Sequence, residues 1–206
     1  MRKRPCKTIT LLILPTLLLM GLYACQGEQA TAERLAFEVV DSLLSPVDTA
    51  KAAGICLRPP LGFISVPDSM LGLIQSRLSA AVGGREGVTL ARAYIDPRRS
   101  SGIMLSTIRG LRLDGDTSAF VNKYRQSLIA AYGQDHVQVG DYRVNTVYVK
   151  NYLVMDTLAV RFQLIGFPPA GDAVELLYVA PRIIYPELVK SFESSIGTIK
   201  PVAKGG

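Results

Sequence analysis

Residues 158–164 read LAVRFQL, and their side chains alternate between apolar and mostly polar along the whole stretch. One side carries Leu158, Val160, Phe162 and Leu164, and the other carries Ala159, Arg161 and Gln163. Successive side chains of a β-strand point to opposite faces of the sheet. The alternation therefore predicts a strand with one face against a core and the other half-exposed.

A second stretch, residues 174–179, reads VELLYV and is apolar on both sides except at Glu175. The loop sequence GFPPAG at 166–171 separates it from the first stretch, and Gly and Pro are typical of turns. A strand that is apolar on both faces is covered on both faces. The pattern therefore predicts that residues 174–179 form a central strand of the sheet.

The rest of the chain combines further short β patterns with three amphipathic helix patterns. The β patterns lie at residues 55–57, 62–65, 88–94, 103–107 and 137–144, with a hairpin turn expected at Gly140 and Asp141. The apolar stripes of the three helices are Met70, Leu71, Ile74, Leu78 and Val82; Phe120, Val121, Tyr124, Leu128 and Ala131; and Leu188, Val189, Phe192, Ile196 and Ile199. Hairpins with few helices indicate an α+β domain over residues 47–206, in which helices flank an antiparallel sheet of about six strands.

This order of elements resembles the Mog1/PsbP-like fold, an α/β/α sandwich that includes bacterial DcrB-like lipoproteins. The resemblance is carried by GFISVP at residues 62–67, before the first helix of the domain, and by FESSIGTI at residues 192–199 in the last helix. Such chains tend to carry an aromatic residue, often Trp, near the opening, and this chain has no Trp. The resemblance implies binding and assembly roles rather than catalysis.

The amino terminus resembles a bacterial lipoprotein signal peptide. A basic start and the 14-residue, mostly apolar run at residues 9–22 precede the sequence LYAC, which resembles a lipobox ending at Cys25. The run is shorter than the roughly 20 apolar residues that span a bilayer. We expect cleavage after residue 24, lipid on Cys25, a tether at residues 25–32 and an amphipathic helix at residues 33–46. Because Gln26 rather than Asp follows the cysteine, the resemblance implies an outer-membrane lipoprotein.

Charge and cysteine content change once the leader is removed. The whole chain has 23 basic and 17 acidic side chains, but residues 25–206 have 19 and 17, a net charge of +2. Such a small excess, without a clustered basic face, gives no reason to expect nucleic acid as a partner. Cys56 is then the one cysteine besides Cys25, and its apolar neighbours predict a buried thiol.

The sequence has no pattern typical of a catalytic or metal site. His136 is the only histidine, so the usual zinc ligand sets are not available, and we interpret it as a solvated loop residue. There is no Gly-x-Ser-x-Gly motif, which leaves a hydrolase as the third choice of function. The glycines at residues 83–87 lie between a helix and a strand, the reverse of a phosphate-binding loop, and predict a turn. We expect no cofactor.

Two groups of residues remain as candidate contacts with a partner. Arg98 and Arg99 form a basic turn, which we expect at the opposite end of the sheet from Arg109 and Arg112. Four tyrosines belong to the β-rich last third: Tyr142, Tyr148, Tyr152 and Tyr178. They would make an aromatic platform if several faced outward, but core packing is the more common use of such residues.

We therefore expect a non-enzymatic, lipid-anchored envelope protein that binds another envelope protein or assists its assembly. The alternative is a lipoprotein that binds a small ligand or a glycan on the sheet that bears the tyrosines.

Overall fold

The computed structural model of the chain describes residues 37–82, 87–113 and 117–202, without the side chains of 78–82. The predicted signal peptide, Cys25 and the tether lie outside the described residues, as do the glycines at 83 and 84. All described residues belong to one structural unit, Arg34–Gly206.

The prediction of an α+β fold with an antiparallel sheet is confirmed. The large sheet has seven strands in the order β3-β4-β5-β9-β8-β7-β6, and every neighbouring pair is antiparallel. Its strands are β3 (Ile64–Ser65), β4 (Val88–Asp96), β5 (Ser101–Ile108), β6 (Val137–Val144), β7 (Val147–Met155), β8 (Ala159–Phe167) and β9 (Ala173–Pro181). The fourth place in this order belongs to β9, so residues 174–179 form a central strand, as predicted.

Three α-helices and a small second sheet surround the large sheet. The helices are α1 (Asp68–Val82), α2 (Thr117–Tyr132) and α3 (Tyr185–Gly197). The second sheet joins β1 (Asp48–Ala50), β2 (Ile55–Leu57) and β10 (Lys200–Pro201), all antiparallel. Short 3-10 turns lie at Asp41–Leu43, Lys51–Ala53 and Gln134–His136.

The large sheet is covered on both faces. Its front face, which carries Leu176 and Tyr178 of β9, packs against α3 and the small sheet. Its back face, which carries Glu175 of the same strand, packs against α2, where the rings of Tyr124 and Tyr152 lie 5.1 Å apart. The result is a sandwich of α3, sheet and α2.

Helix α3 buries the apolar stripe that the sequence predicts. Pro186 lies in its first turn, where its missing amide proton costs no helical hydrogen bond. Leu188, Phe192 and Ile196 are fully buried on the front face, as is Ile199 just beyond the helix, whereas Val189 is half-buried. The helix therefore belongs to the core and does not present this stripe to a partner.

The amphipathic helix expected at residues 33–46 is not found over its described part. Residues 37–40 form no helix, and only Asp41–Leu43 makes a single 3-10 turn. The backbone here is bound by α3 instead: Val40 N donates to Ser194 Oγ at 3.2 Å, and Ser194 Oγ donates to the carbonyl of Glu38 at 3.1 Å. A Cβ atom on Gly197 would lie 3.1 Å from the carbonyl oxygen of Phe37, so glycine lets this segment lie close on the helix.

The hairpin predicted at Gly140 and Asp141 is also wrong, because the chain turns at Asn145 instead. Gly140 lies in the middle of β6, opposite Asn151, and the two-residue loop at 145–146 joins β6 to β7. Asn145 has a φ of 52°, a conformation that asparagine tolerates better than most residues. Gly140 serves packing: a Cβ atom there would lie 2.6 Å from the Tyr142 hydroxyl.

Strand β4 departs from simple alternation at a bulge. Leu90 and Arg92 pair with successive residues of β5, so Ala91 is the extra residue. A bulge reverses which side chains face which side of a sheet. Leu90 therefore shares a face with Val88, whereas Tyr94 lies on the other, front face, where its hydroxyl donates to Asp48 at 2.9 Å. Simple alternation over residues 88–94 would place Val88, Leu90 and Tyr94 on one side, so the bulge is what separates Tyr94 from the other two.

Helix α1 lies along the outer edge of β4, beyond the end of the short strand β3. Gln75 Nε2 donates to the carbonyl of Val88 at 3.2 Å, and Leu90 N donates to Gln75 Oε1 at 2.6 Å. One side-chain amide thus satisfies an edge donor and an edge acceptor as a neighbouring strand would. Met70, predicted on the buried stripe, is instead 47% exposed, since α1 covers an edge rather than a face.

Candidate functional site

Arg98 and Arg99 lie in the turn between β4 and β5, beside an open cleft. The cleft is lined by Gly62, Ile64, Asp96, Pro97, Arg98 and Arg99. Asp96 organises this turn: it is buried, and it accepts hydrogen bonds from the backbone amides of Arg98 at 3.0 Å and Arg99 at 3.3 Å. Burial alone would raise the pKa of Asp96, but hydrogen bonds from Arg99 and Arg98 outweigh it and hold that pKa below its ordinary value.

The two arginines of the turn have different environments. Arg99 Nε forms an ion pair with Asp96, and its Nη2 donates to the carbonyl of Leu61 at 3.3 Å. Arg98 is exposed, and its guanidinium makes no hydrogen bond or ion pair with the described part of the chain. Arg99 therefore holds the turn against the 61–64 loop, while the charge of Arg98 is left for another molecule.

A second turn lies at the same end of the sheet, because Ala159 of β8 pairs with Pro181 of β9. Asp156 accepts hydrogen bonds from the amides of Leu158 and Ala159, both at 2.7 Å, and forms an ion pair with Arg161. Arg182 N donates to the carbonyl of Leu158 at 2.9 Å, which joins this turn to the loop after β9.

The Asp156 turn gives a testable pH dependence. Burial would raise the pKa of Asp156, but its backbone and Arg161 hydrogen bonds lower that pKa from 3.8 to about 2. A carboxylate with a lowered pKa stabilises the fold above about pH 4, and the contribution is lost as the pH falls toward the folded-state pKa. Asp156→Asn should therefore cost about 2 kcal/mol at pH 7 and flatten the stability profile between about pH 4 and 2.

Urea unfolding at a series of pH values checks this prediction. Asp135→Asn is the matched control, because Asp135 is an exposed carboxylate in the 3-10 turn before β6. Parallel pH profiles for wild type and Asp156→Asn would contradict the assignment of this turn.

Exposed aliphatic side chains lie near both turns at this end of the sheet, which we call the cleft end. They are Leu61 and Ile64 (both 60% exposed), Ile95 (45%), Leu158 (80%) and Ile183 (85%). Neighbouring strands lie about 4.8 Å apart, so β4 and β8 are separated by roughly 15 Å. Leu158, which the alternation had placed on the core side, is exposed because the Asp156 turn delays the start of β8 to Ala159.

Tyr142 and Tyr148 are not brought together with the arginines or with each other. Both are half-buried residues of the β6–β7 edge, at the far side of the sheet from β4. Tyr142 pairs with Val149, so these two side chains lie on the same face of the sheet. Tyr148 precedes Val149 in β7 and pairs with Arg143, so its ring lies on the opposite face. Tyr152 and Tyr178 are fully buried. These tyrosines therefore do not make one outward-facing aromatic surface.

The back face contains a buried polar cluster that the sequence analysis did not identify. Tyr124 Oη of α2 lies 2.6 Å from Glu175 Oε1 and 2.7 Å from Gln163 Oε1. A hydroxyl has one proton, so it can donate to one of these two oxygens at a time. One sequence feature could have indicated this cluster: Glu175 is the single charged residue of an apolar strand, and a buried carboxylate requires hydrogen-bonding partners.

Removing that hydroxyl should destabilise the domain. Tyr124→Phe keeps the ring on Tyr152 but takes a donor from a buried carboxylate, an interaction that typically contributes about 1.5–3 kcal/mol. We expect a loss of that size in the free energy of unfolding. Tyr132→Phe is the control, because the Tyr132 ring lies against Arg161 and would keep that contact. Equal denaturation midpoints for Tyr124→Phe and wild type would contradict the role given to this hydroxyl.

Groups with catalytic potential are scattered. His136 is exposed in the 3-10 turn before β6. Cys56, predicted to be buried, is half-buried, because the alternation of β2 turns it to the outer side of the small sheet, with its sulfur 3.6 Å from the carbonyl oxygen of Lys200. Over residues 37–82, 87–113 and 117–202 no three His, Cys, Asp or Glu side chains come together in a metal-binding group. None of the helices in these ranges has the length and apolarity needed to cross a membrane.

Comparison with known proteins adds little to these observations. No protein-family model and no curated protein matches the chain. A crystal structure from Bacteroides thetaiotaomicron VPI-5482, determined at 1.50 Å resolution, is similar at 13% identity with a TM-score of 0.42. The match covers 74% of this chain and 47% of that protein, so the chain spans about half of its length. A likeness this distant carries no argument about function.

Proposed function

We propose that this protein is a lipid-anchored, non-enzymatic component of the cell envelope that binds another envelope protein, or assists its assembly, through the cleft end of its sheet. The observation that carries the proposal is the set of exposed aliphatic side chains at this end, of which Ile64 lines the cleft with Arg98. The resemblance to Mog1/PsbP-like proteins implies the same class of role and is part of the proposal.

Exposed apolar side chains in a group favour contact with another macromolecule. Single exposed hydrophobic residues are common on protein surfaces, whereas groups of them mark interaction sites. Ile64 and Ile95 are direct partners across the β3–β4 ladder, and both are exposed. Burial of one aliphatic side chain contributes about 1.5–3 kcal/mol, so a few such residues with an arginine could hold a partner.

The proposed localisation in the outer membrane rests on the sequence of the amino terminus. Lipid on Cys25 would hold the protein to the membrane, and Gln26 after the cysteine supports the outer membrane as its destination. An anchored domain reaches partners in the envelope without needing a membrane-spanning segment of its own. A glycan or small-ligand role has less support, because Tyr152 and Tyr178 are buried and Tyr142 and Tyr148 lie on opposite faces.

Site-specific photo-crosslinking in intact cells tests the proposal. A photoreactive amino acid is placed at Ile64 or at Ile183, both at the cleft end, and at Val139 as a control. Val139 is 44% exposed on β6, at the other edge of the sheet. We expect one discrete crosslinked protein from the two cleft-end positions and none from Val139. Absence of crosslinks at Ile64 and Ile183, or equal products from all three positions, would overturn the proposal.

A further inference from the structure

We infer that the segment bound at the cleft end is acidic and aliphatic, and that Arg98 and Arg182 select its charge. This inference rests on the proposed function and specifies the chemistry of the partner. It depends on which charges of the β4–β5 turn, the β7–β8 turn and the loop after β9 are already neutralised within the chain.

The carboxylates of the two turns are each paired with an arginine. Asp96 is buried and forms an ion pair with Arg99, and Asp156 is half-buried and forms an ion pair with Arg161. Both carboxylates have lowered pKa values, so they are charged at neutral pH and their charges are balanced by those two arginines.

Two cations, one in the β4–β5 turn and one in the loop after β9, have no such carboxylate. Arg98 is exposed, and its guanidinium has no partner among the described residues. Arg182 is exposed, and its Nη1 donates to the carbonyl of Asp156 at 3.2 Å, a neutral acceptor that leaves the positive charge uncompensated. The turns therefore present two positive charges among the exposed aliphatic side chains. A complementary segment carries carboxylates between aliphatic residues.

Side chains, rather than addition of a strand, must supply this recognition. Strand β3 is the edge of the sheet at the cleft, and it has only the two residues Ile64 and Ser65. Backbone groups on alternate residues of an edge strand point outward. Since Val66 N donates to Ala93 in β4 at 2.9 Å, Ser65 is the residue of β3 that faces out. One residue offers one donor and one acceptor, too few to align a strand.

Arg98 and Arg99 should therefore differ when mutated. Arg99 builds the turn through Asp96 and Leu61, so its replacement disturbs the site by altering the loop. Arg98 contributes its charge to the surface and little to the fold, so its replacement changes recognition alone. This difference makes Arg98 the informative position.

A peptide array measures the inferred preference directly. The lipidated full chain in detergent is applied to 12-residue peptides in which Leu, Ile or Val alternate with Glu, Gln or Lys. We expect the Glu peptides to bind about tenfold more strongly than the Gln peptides, with weaker binding at higher salt, as for complementary charges at a partly exposed interface. Arg98→Glu and Arg182→Glu should each remove this preference. Arg109→Glu, which reverses an exposed charge at the opposite end of β5, should keep it.

Each other outcome decides against the inference. Equal binding of Glu and Lys peptides, no binding to any peptide, or an unchanged preference in Arg98→Glu would overturn it. A separate experiment mixes delipidated protein with vesicles that contain phosphatidylglycerol. Binding to these vesicles that depends on Arg98, without a peptide preference, would assign the site to a lipid headgroup.

The crosslinking experiment separates this inference from the proposed function. If the Ile64 crosslink survives Arg98→Glu at full yield, the proposed partner remains and only the acidic recognition fails. If no crosslink forms in wild type, the proposed function itself fails.

Discussion

Replacing Phe192 with alanine should destabilise the domain by about 3–5 kcal/mol, the usual range for truncation of a buried Phe. The side chain is fully buried, and its ring lies 5.2 Å from that of Tyr178 and 6.0 Å from that of Phe63. It therefore joins α3 both to the central strand β9 and to the segment before β3. A loss of this size is a large share of the ~5–15 kcal/mol that keeps a typical domain folded.

Denaturant unfolding of residues 26–206 measures the effect. Ile183→Ala is the matched control, because Ile183 precedes the same helix but is 85% exposed, and it should shift the midpoint very little. A Phe192→Ala midpoint equal to that of wild type would contradict the core assignment. Loss of partner binding with unchanged stability would move the interaction site to α3.

Replacing Cys25 with serine should abolish lipid attachment and release the protein from the membrane. Serine has no thiol to accept the lipid, and acyl chains on Cys25 are the membrane attachment that we propose. Each buried methylene of an acyl chain contributes about 0.8 kcal/mol, so loss of two or more chains removes a firm anchor. We expect no incorporation of a palmitate analogue in Cys25→Ser.

Cys56→Ser is the control for this experiment. Cys56 is the other cysteine of residues 25–206, and it lies in β2 of the small sheet. Its replacement should leave lipid labelling and membrane fractionation as in wild type. Equal labelling of Cys25→Ser and wild type would overturn the proposed anchor, whereas loss of labelling in Cys56→Ser alone would transfer the modification to that residue.

The parts of the fold that could be predicted depend on short, uninterrupted patterns. The central position of β9 follows from one apolar run, and the burial of α3 follows from one stripe repeated every three or four residues. One error arose where a distant contact decides the local geometry: residues 37–40 are not helical because Ser194, far along the chain, binds their backbone. The other has a local origin: the chain turns at Asn145, so Gly140 lies within β6, where the Tyr142 ring covers it.

The position of the two arginines in the candidate site was predictable, but their separate roles were not. The sequence predicts that Arg98 and Arg99 lie in a turn, and the structure places them there. It could not distinguish their roles, because the distinction depends on Leu61, which is close in space but not in sequence. Leu158 was misassigned since alternation continues one residue past the true start of β8. The residues Asp156 and Thr157 before it are a turn signal that could have corrected the boundary.

The Gln75 amide has a consequence for how the protein behaves at high concentration. Unpaired backbone groups along the edge of a sheet invite pairing with the edge of another molecule, which is a route to aggregation. Beyond the two residues of β3, the edge of β4 would present such groups at Val88 and Leu90, and Gln75 occupies both. Gln75 therefore keeps this edge of the sheet from pairing with the edge of another copy.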